Sequence, residues 1–139
     1  MAVETHEFEV STKGYCDIKD VTGTVRGLLE RSSVSEGVVT VFTPGSTAGV
    51  TTVEYEPGLL KDLPEAFERL APRDMVYAHD ATWGDGNGFS HVRAALLKAS
   101  LTVPVKSKRL LLGTWQQIVV VDFDNRPRSR QVILQIMGE

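Results

Sequence analysis

The chain has 139 residues, 42% hydrophobic and 24% charged, with a net charge of −3. That length suits one domain with a real core, and the balance excludes a disordered or fibrous chain. With no cationic excess there is no electrostatic case for nucleic acid, whose binding rests on neutralised phosphates.

Cys16 is the only cysteine, so no intrachain disulfide can form and no oxidising compartment is required. Met1 to Val10 carries Glu4, Glu7 and Glu9, where a secretory leader would need a basic start and an unbroken apolar stretch. Ile118 to Val121 is far too short to cross a bilayer. A cytoplasmic protein without membrane contact is the expectation.

Glu4 to Thr12 alternates loosely and predicts a half-buried strand. Lys13-Gly14 signals a turn before a short strand at Tyr15 to Ile18. Asp20 is placed to cap a helix carrying Val21, Val25, Leu28 and Leu29. Gly23 and Gly27 weaken that helix, by about 1 kcal/mol each relative to alanine, and close packing against a sheet would tolerate them. Gly37 to Phe42 is β-branched and predicts a central strand. A bend at Pro44-Gly45 leads into a strand over Thr47 to Tyr55.

Leu59, Leu60, Leu63, Phe67 and Leu70 return to helical spacing, with Pro64 expected to kink that helix or start a second. Thr82 to Gly88 reads as a loop, and Phe89, Val92 and Leu96 predict a helix from about Ser90. Thr102 to Val105 and Leu110 to Leu112 flank Lys106-Ser107-Lys108 as a hairpin. Gln117 to Phe123 and Gln131 to Ile136 are the last strands. About eight strands and three helical segments, mostly joined by turns too short for parallel crossovers, give one α+β domain over residues 1–139, with mixed, mainly antiparallel β-sheets.

The chemistry should centre on His79 to His91. His6, the third histidine, reads as a surface residue. His79 and His91 bracket a glycine-rich loop that can fold back to bring them together. His91 falls in the first turn of its helix, where the macrodipole disfavours imidazolium and keeps the ring neutral. The amides of Gly88 to Ser90 would then be free to bind an anion. Asp80 and Asp85 can orient a histidine or complete a metal shell.

The bland reading makes Ser90 a helix cap, His91 a packed histidine and Asn87 a left-handed turn residue. Trp115 would be core and Gln116 would satisfy a backbone group. Arg126, Arg128 and Arg130 form a basic patch, with Arg128 and Arg130 on one strand face. They suit a phosphate or carboxylate, or protect an edge strand. The residues by themselves reach only a domain with a small anionic ligand.

Five ordered pieces add a resemblance from about Val38 to the C-terminus. They are Ser46-Thr47-Ala48-Gly49-Val50-Thr51 with Glu54; His79 with Asp85-Gly86-Asn87 and His91; Ser100 to Val105; Gly113-Thr114-Trp115-Gln116; and Gln135 to Glu139. Together they resemble the YjbQ family. The resemblance implies an α+β homotrimer, a histidine-bound divalent metal such as zinc, and a weak thiamine-phosphate-synthase activity.

It implies His79 and His91 as metal ligands or acid/base groups, with Asp85 orienting one of them and Asn87 binding substrate. Ser46, Thr47, Gln116 and Arg128 are candidate substrate contacts. Gly45 stands where many members have a histidine, so only two histidine ligands transfer, and Glu54, Asp80 or Asp85 would be the third. The expectation is an enzyme on a small phosphorylated metabolite; the alternative is a non-enzymatic trimeric protein that binds one.

Overall fold

The computed structural model describes residues 1–139 as eight strands and four helices. The strands form two antiparallel sheets. The larger orders β1 (Ala2–Thr12), β8 (Arg128–Gly138), β3 (Gly37–Phe42), β5 (Ser100–Lys106) and β6 (Arg109–Leu110); the smaller orders β2 (Asp17–Asp20), β7 (Gln117–Asp122) and β4 (Ala48–Val53). The α+β expectation therefore holds, and β3 is central, between β8 and β5.

Strand β7 sets the layering. Its Ile118 and Val120 join Val39, Val41, Leu134 and Ile136 of the larger sheet in one core, which α1 (Thr22–Arg31) covers with Val25 and Leu29. Its Val119 and Val121, with the following Phe123, form a second core with Phe67 and Ala94. Those two residues come from α2 (Leu59–Leu70) and α4 (Gly88–Leu97). A strand covered on both faces needs apolar residues at successive positions, which explains the run Ile118 to Val121.

Several local expectations are corrected. Helix α2 runs through Pro64 without dividing, and Leu70 lies on its exposed side. A fourth helix, α3 (Ala78–Trp83), occupies part of the stretch read as a loop, and α4 begins at Gly88, two residues early. Asp20 binds the Thr22 amide at 2.9 Å, although Val21 holds the cap position. The β5–β6 hairpin turns at Ser107 and Lys108, both at positive φ as a tight twisted hairpin requires, and β6 is only Arg109–Leu110. Trp115 is 69% exposed in a turn rather than core. His6 is half-buried on β1, 3.6 Å from Glu4. No helix is long and apolar enough to cross a membrane.

Arg128 and Arg130 are not a solvated edge row, because their guanidinium groups are engaged by the buried Asp124 and Asp122. Arg130 is buried and binds Asp122 in a two-pronged pair, Nε at 2.7 Å and Nη2 at 2.9 Å. Arg128 binds Asp124 at 3.0 Å. A buried carboxylate needs such partners, since leaving it unpaired would cost several kcal/mol.

The glycines of α1 and β3 differ in what they tolerate. A Cβ at Gly23 would touch nothing within 4 Å, so close packing is not why glycine stands there. A Cβ at Gly37 would lie 2.0 Å from the Met137 carbonyl oxygen, opposite Gly138 in register. Gly23→Ala should therefore raise stability by about 0.5–1 kcal/mol, and Gly37→Ala should lower it by about 1–3 kcal/mol or more. Urea unfolding of both variants checks this; equal effects would refute the contrast.

Candidate active site

Helices α3 and α4 meet through a tight loop, Gly84 to Asn87. Gly84 (φ 65°) and Gly86 (φ 64°) take the left-handed conformation, while Asn87 does not (φ −109°). Glycine makes those two reversals without a β-carbon clash, and they fold the chain back on itself. At Gly88 a Cβ would lie 2.5 Å from Tyr77 Cβ, so only a glycine permits this approach of α4 to the start of α3. The His79 and His91 rings then lie 4.2 Å apart, centroid to centroid.

His79 Nδ1 is 3.5 Å from Asp80 Oδ1 and 3.5 Å from Asp85 Oδ1, has no hydrogen-bond partner and is sealed from solvent. The ligand atoms of these three residues lie within 4.8 Å of one another. One nitrogen and two carboxylate oxygens, with a second imidazole alongside, suit a divalent cation such as zinc. Glu54 follows β4 and stands outside this group.

The free-amide anion site is corrected. The Gly88 N–H donates to Asp80 Oδ1 at 2.8 Å and the Ser90 N–H to the Asn87 carbonyl at 3.1 Å. The helix terminus is thus occupied by a carboxylate of its own chain. Ser90 is not the cap: its hydroxyl donates to the Asn87 carbonyl and side-chain oxygen, at 2.7 and 2.6 Å.

Burial lowers the His91 pKa below its ordinary 6.5, and the charge of His79 adds to this, against the opposing pull of Asp85, Asp124 and Asp80. Neutral imidazole is the form that accepts protons and binds metals. Burial would raise the Asp124 carboxyl, but hydrogen bonds from Thr47 and Arg128 and the Arg128 charge bring it below the usual carboxylate value. Burial pushes the Cys16 thiol up to about 12, so it stays protonated and inert.

The remaining candidates divide. Ser46 is exposed and lines a cleft with His91 and Gly45. Asn87 is buried, its side-chain oxygen also accepting the Asn125 N–H at 3.2 Å. Thr47 faces inward, its hydroxyl 2.9 Å from Asp124 and bonded to Arg130. Arg128 is held by Asp124 beneath the loop. Gln116 lines a different cleft, accepting the Gly113 N–H at 2.7 Å and reaching Thr52 at 3.3 Å.

Asp124 was missed as a site residue. It is fully buried, and its Oδ1 lacks a hydrogen-bond partner. Its signal was the match between Asp122 and Asp124 at one strand end and Arg128 and Arg130 at the start of the next, both two apart.

His91 provides a test in metal-free protein. Its folded pKa lies below the 6.5 of the free side chain, so the unfolded chain binds more protons between those values. Stability should fall as pH drops from 6.5 through the folded pKa, and His91→Gln should remove that part of the slope. Proton NMR titration of the His91 ring reads it directly; a pKa at or above 6.5 would refute the assignment.

A curated relative from Methanothermobacter thermautotrophicus is 37% identical over 139 residues, covering 100% of this chain and 95% of that protein. One from Archaeoglobus fulgidus is 39% identical over 131 residues, covering 94% and 99%. Both are called UPF0047 proteins. The crystal structure of a hypothetical protein from Aeropyrum pernix K1 superposes with a TM-score of 0.91 at 34% identity, covering 98% and 99%. That of a protein of unknown function from Sulfolobus solfataricus P2 gives 0.94 at 29%, covering 99% of each chain. Residues 6–139 match the family described as UPF0047 protein YjbQ-like, and the chain belongs to that family.

Proposed function

We propose that this protein is an enzyme acting on a small phosphorylated metabolite, with a divalent cation held by His79, Asp80 and Asp85 and with His91 beside them. The observation that carries this is the sealed, unpartnered His79 Nδ1 between two carboxylates and next to a second imidazole. Such a nitrogen is costly unless something fills the gap. When bound, the cation supplies positive charge against an anionic leaving group.

The chain's own residues do the rest. His91, kept neutral, takes or returns a proton, and Asn87 holds the loop that carries Asp85. Within this class, the family resemblance favours thiamine phosphate formation. The thiazole nitrogen of a thiazole phosphate bonds to the methylene carbon of a pyrimidine diphosphate, and the carbon–oxygen bond to pyrophosphate breaks. The reading takes the protein to be cytoplasmic and homotrimeric.

Two measurements test it. Zinc competition against a chromogenic chelator should show tight binding that His79→Ala and Asp85→Ala each weaken about tenfold or more, as loss of one ligand would. Phosphorus NMR of the metal-loaded protein with phosphorylated substrates should show turnover that His91→Ala abolishes. Saturable binding without any turnover would favour a metabolite-binding protein instead, and zinc affinity unchanged in both variants would remove the metal site.

Assembly is tested separately. Light scattering should give about three times the 15.3 kDa chain mass across a wide dilution range. A monomer mass throughout would refute the trimer.

A further inference from the structure

Beside His91 a cleft of about 260 Å³, with neither Asp80 nor Asp85 in its lining, opens between Gly45 and the end of α4. Its lining includes no acidic residue; apart from His91, Ser46 and Lys98 it is glycine and alanine. That volume falls just below the ~300–1,000 Å³ of ordinary small-molecule pockets, a size for one end of a metabolite.

Lys98 closes α4 with φ 77° and ψ 164°, a backbone region that is nearly glycine-only. Its backbone has no freedom to relax. The Lys98 N–H bonds Ala94 at 2.8 Å, and its carbonyl accepts the Val50 N–H at 3.0 Å. A Cβ on Gly49 would come within 2.6 Å of that carbonyl. Glycine would occupy position 98 more cheaply, and no carboxylate of the chain pairs with the lysine. The fold therefore bears a strained residue whose charge it does not use.

Behind the Gly45 wall of the cleft lies a second cation, Arg130. It is 9% exposed; its Nε and Nη2 are committed to Asp122 and Thr47, whereas Nη1 makes no hydrogen bond. Nη1 lies behind Gly45, 3.2 Å from where a Cβ would stand. Gly45 has φ 143°, so its bareness permits that backbone and leaves no side chain between Nη1 and the wall of the cleft that Gly45 forms.

We propose that this cleft is a phosphate-binding subsite, in which Lys98 and Arg130 Nη1 hold the anion, Ser46 donates its hydroxyl, and His91 joins it to the neighbouring histidine–carboxylate cluster. This deepens the reading of a phosphorylated substrate and rests on it. It places the phosphate in a cleft whose lining carries no carboxylate. Guanidinium and ammonium are the groups suited to phosphate, the first by fixed donors and the second as a mobile point charge.

The test is calorimetric titration of metal-free protein, in chelator and low salt, with inorganic phosphate and pyrophosphate. The parent should bind saturably. Lys98→Gly should bind about tenfold more weakly, as loss of one charge-assisted hydrogen bond implies, yet melt at the same or a higher temperature because the strain is gone. Lys98→Arg should stay within about threefold of the parent in affinity. Absent phosphate binding by the parent, unchanged affinity in Lys98→Gly, or a lower melting temperature for Lys98→Gly would each overturn the proposal. Because no metal is present, failure of the histidine–carboxylate site cannot imitate these results. His79→Ala, which should lose zinc, should keep its phosphate affinity here.

Discussion

The buried pairing of Asp122 and Asp124 with Arg130 and Arg128 is the interaction on which the rest depends. It joins the end of β7, in the smaller sheet, to the start of β8, in the larger. Thr12 at the end of β1 also donates to Asp122, and Thr47, just before β4, donates to Asp124. Four chain segments are thereby fixed at one end of the molecule. The charges balance locally, as two buried carboxylates demand two cations, and the bonded geometry is what offsets their desolvation.

That floor carries the site. Asp124 lies under Thr47, and the next residue, Asn125, bonds both the Asn87 side chain and the Asp85 carbonyl. The loop bearing Asp85 is therefore tied to the sheet below it. From the other side, Arg93 of α4 is buried and clamps Glu68 at 2.6 Å and the Ala71 carbonyl at 2.9 Å. Helix α4 is held at both its faces, and His91 rides on it. A site built on so many fixed partners is preorganised, which is what a reacting or ligating group needs.

Lys98, Gly45 and the His79 Nδ1 share a physical character. Each departs from what stability alone would choose: a strained lysine, a bare glycine before a guanidinium, a sealed nitrogen without a partner. They cluster around one pair of imidazoles. Departures of this kind concentrate where a structure serves a ligand rather than itself.

The sequence by itself determined the periodic elements, because burial on one face leaves a pattern that a short window can read. Gly37 to Phe42 as a central strand, the β5–β6 hairpin and the α+β class follow from such local patterns. It also marked His79, Asp85 and His91, since a glycine-rich loop between histidines has one obvious way to fold. Helix α3 escaped because six residues with no buried side chain carry no apolar period. Trp115 misled because a large aromatic in an apolar stretch gives no sign that the chain turns outward there. Only the tertiary structure decided where the charges go. Arg128 and Arg130 look identical to solvated edge residues until the end of β7 brings Asp122 and Asp124 against them. Asp124, Lys98 and the gap behind Gly45 acquire meaning only through contacts between residues distant along the chain, and no local pattern encodes them.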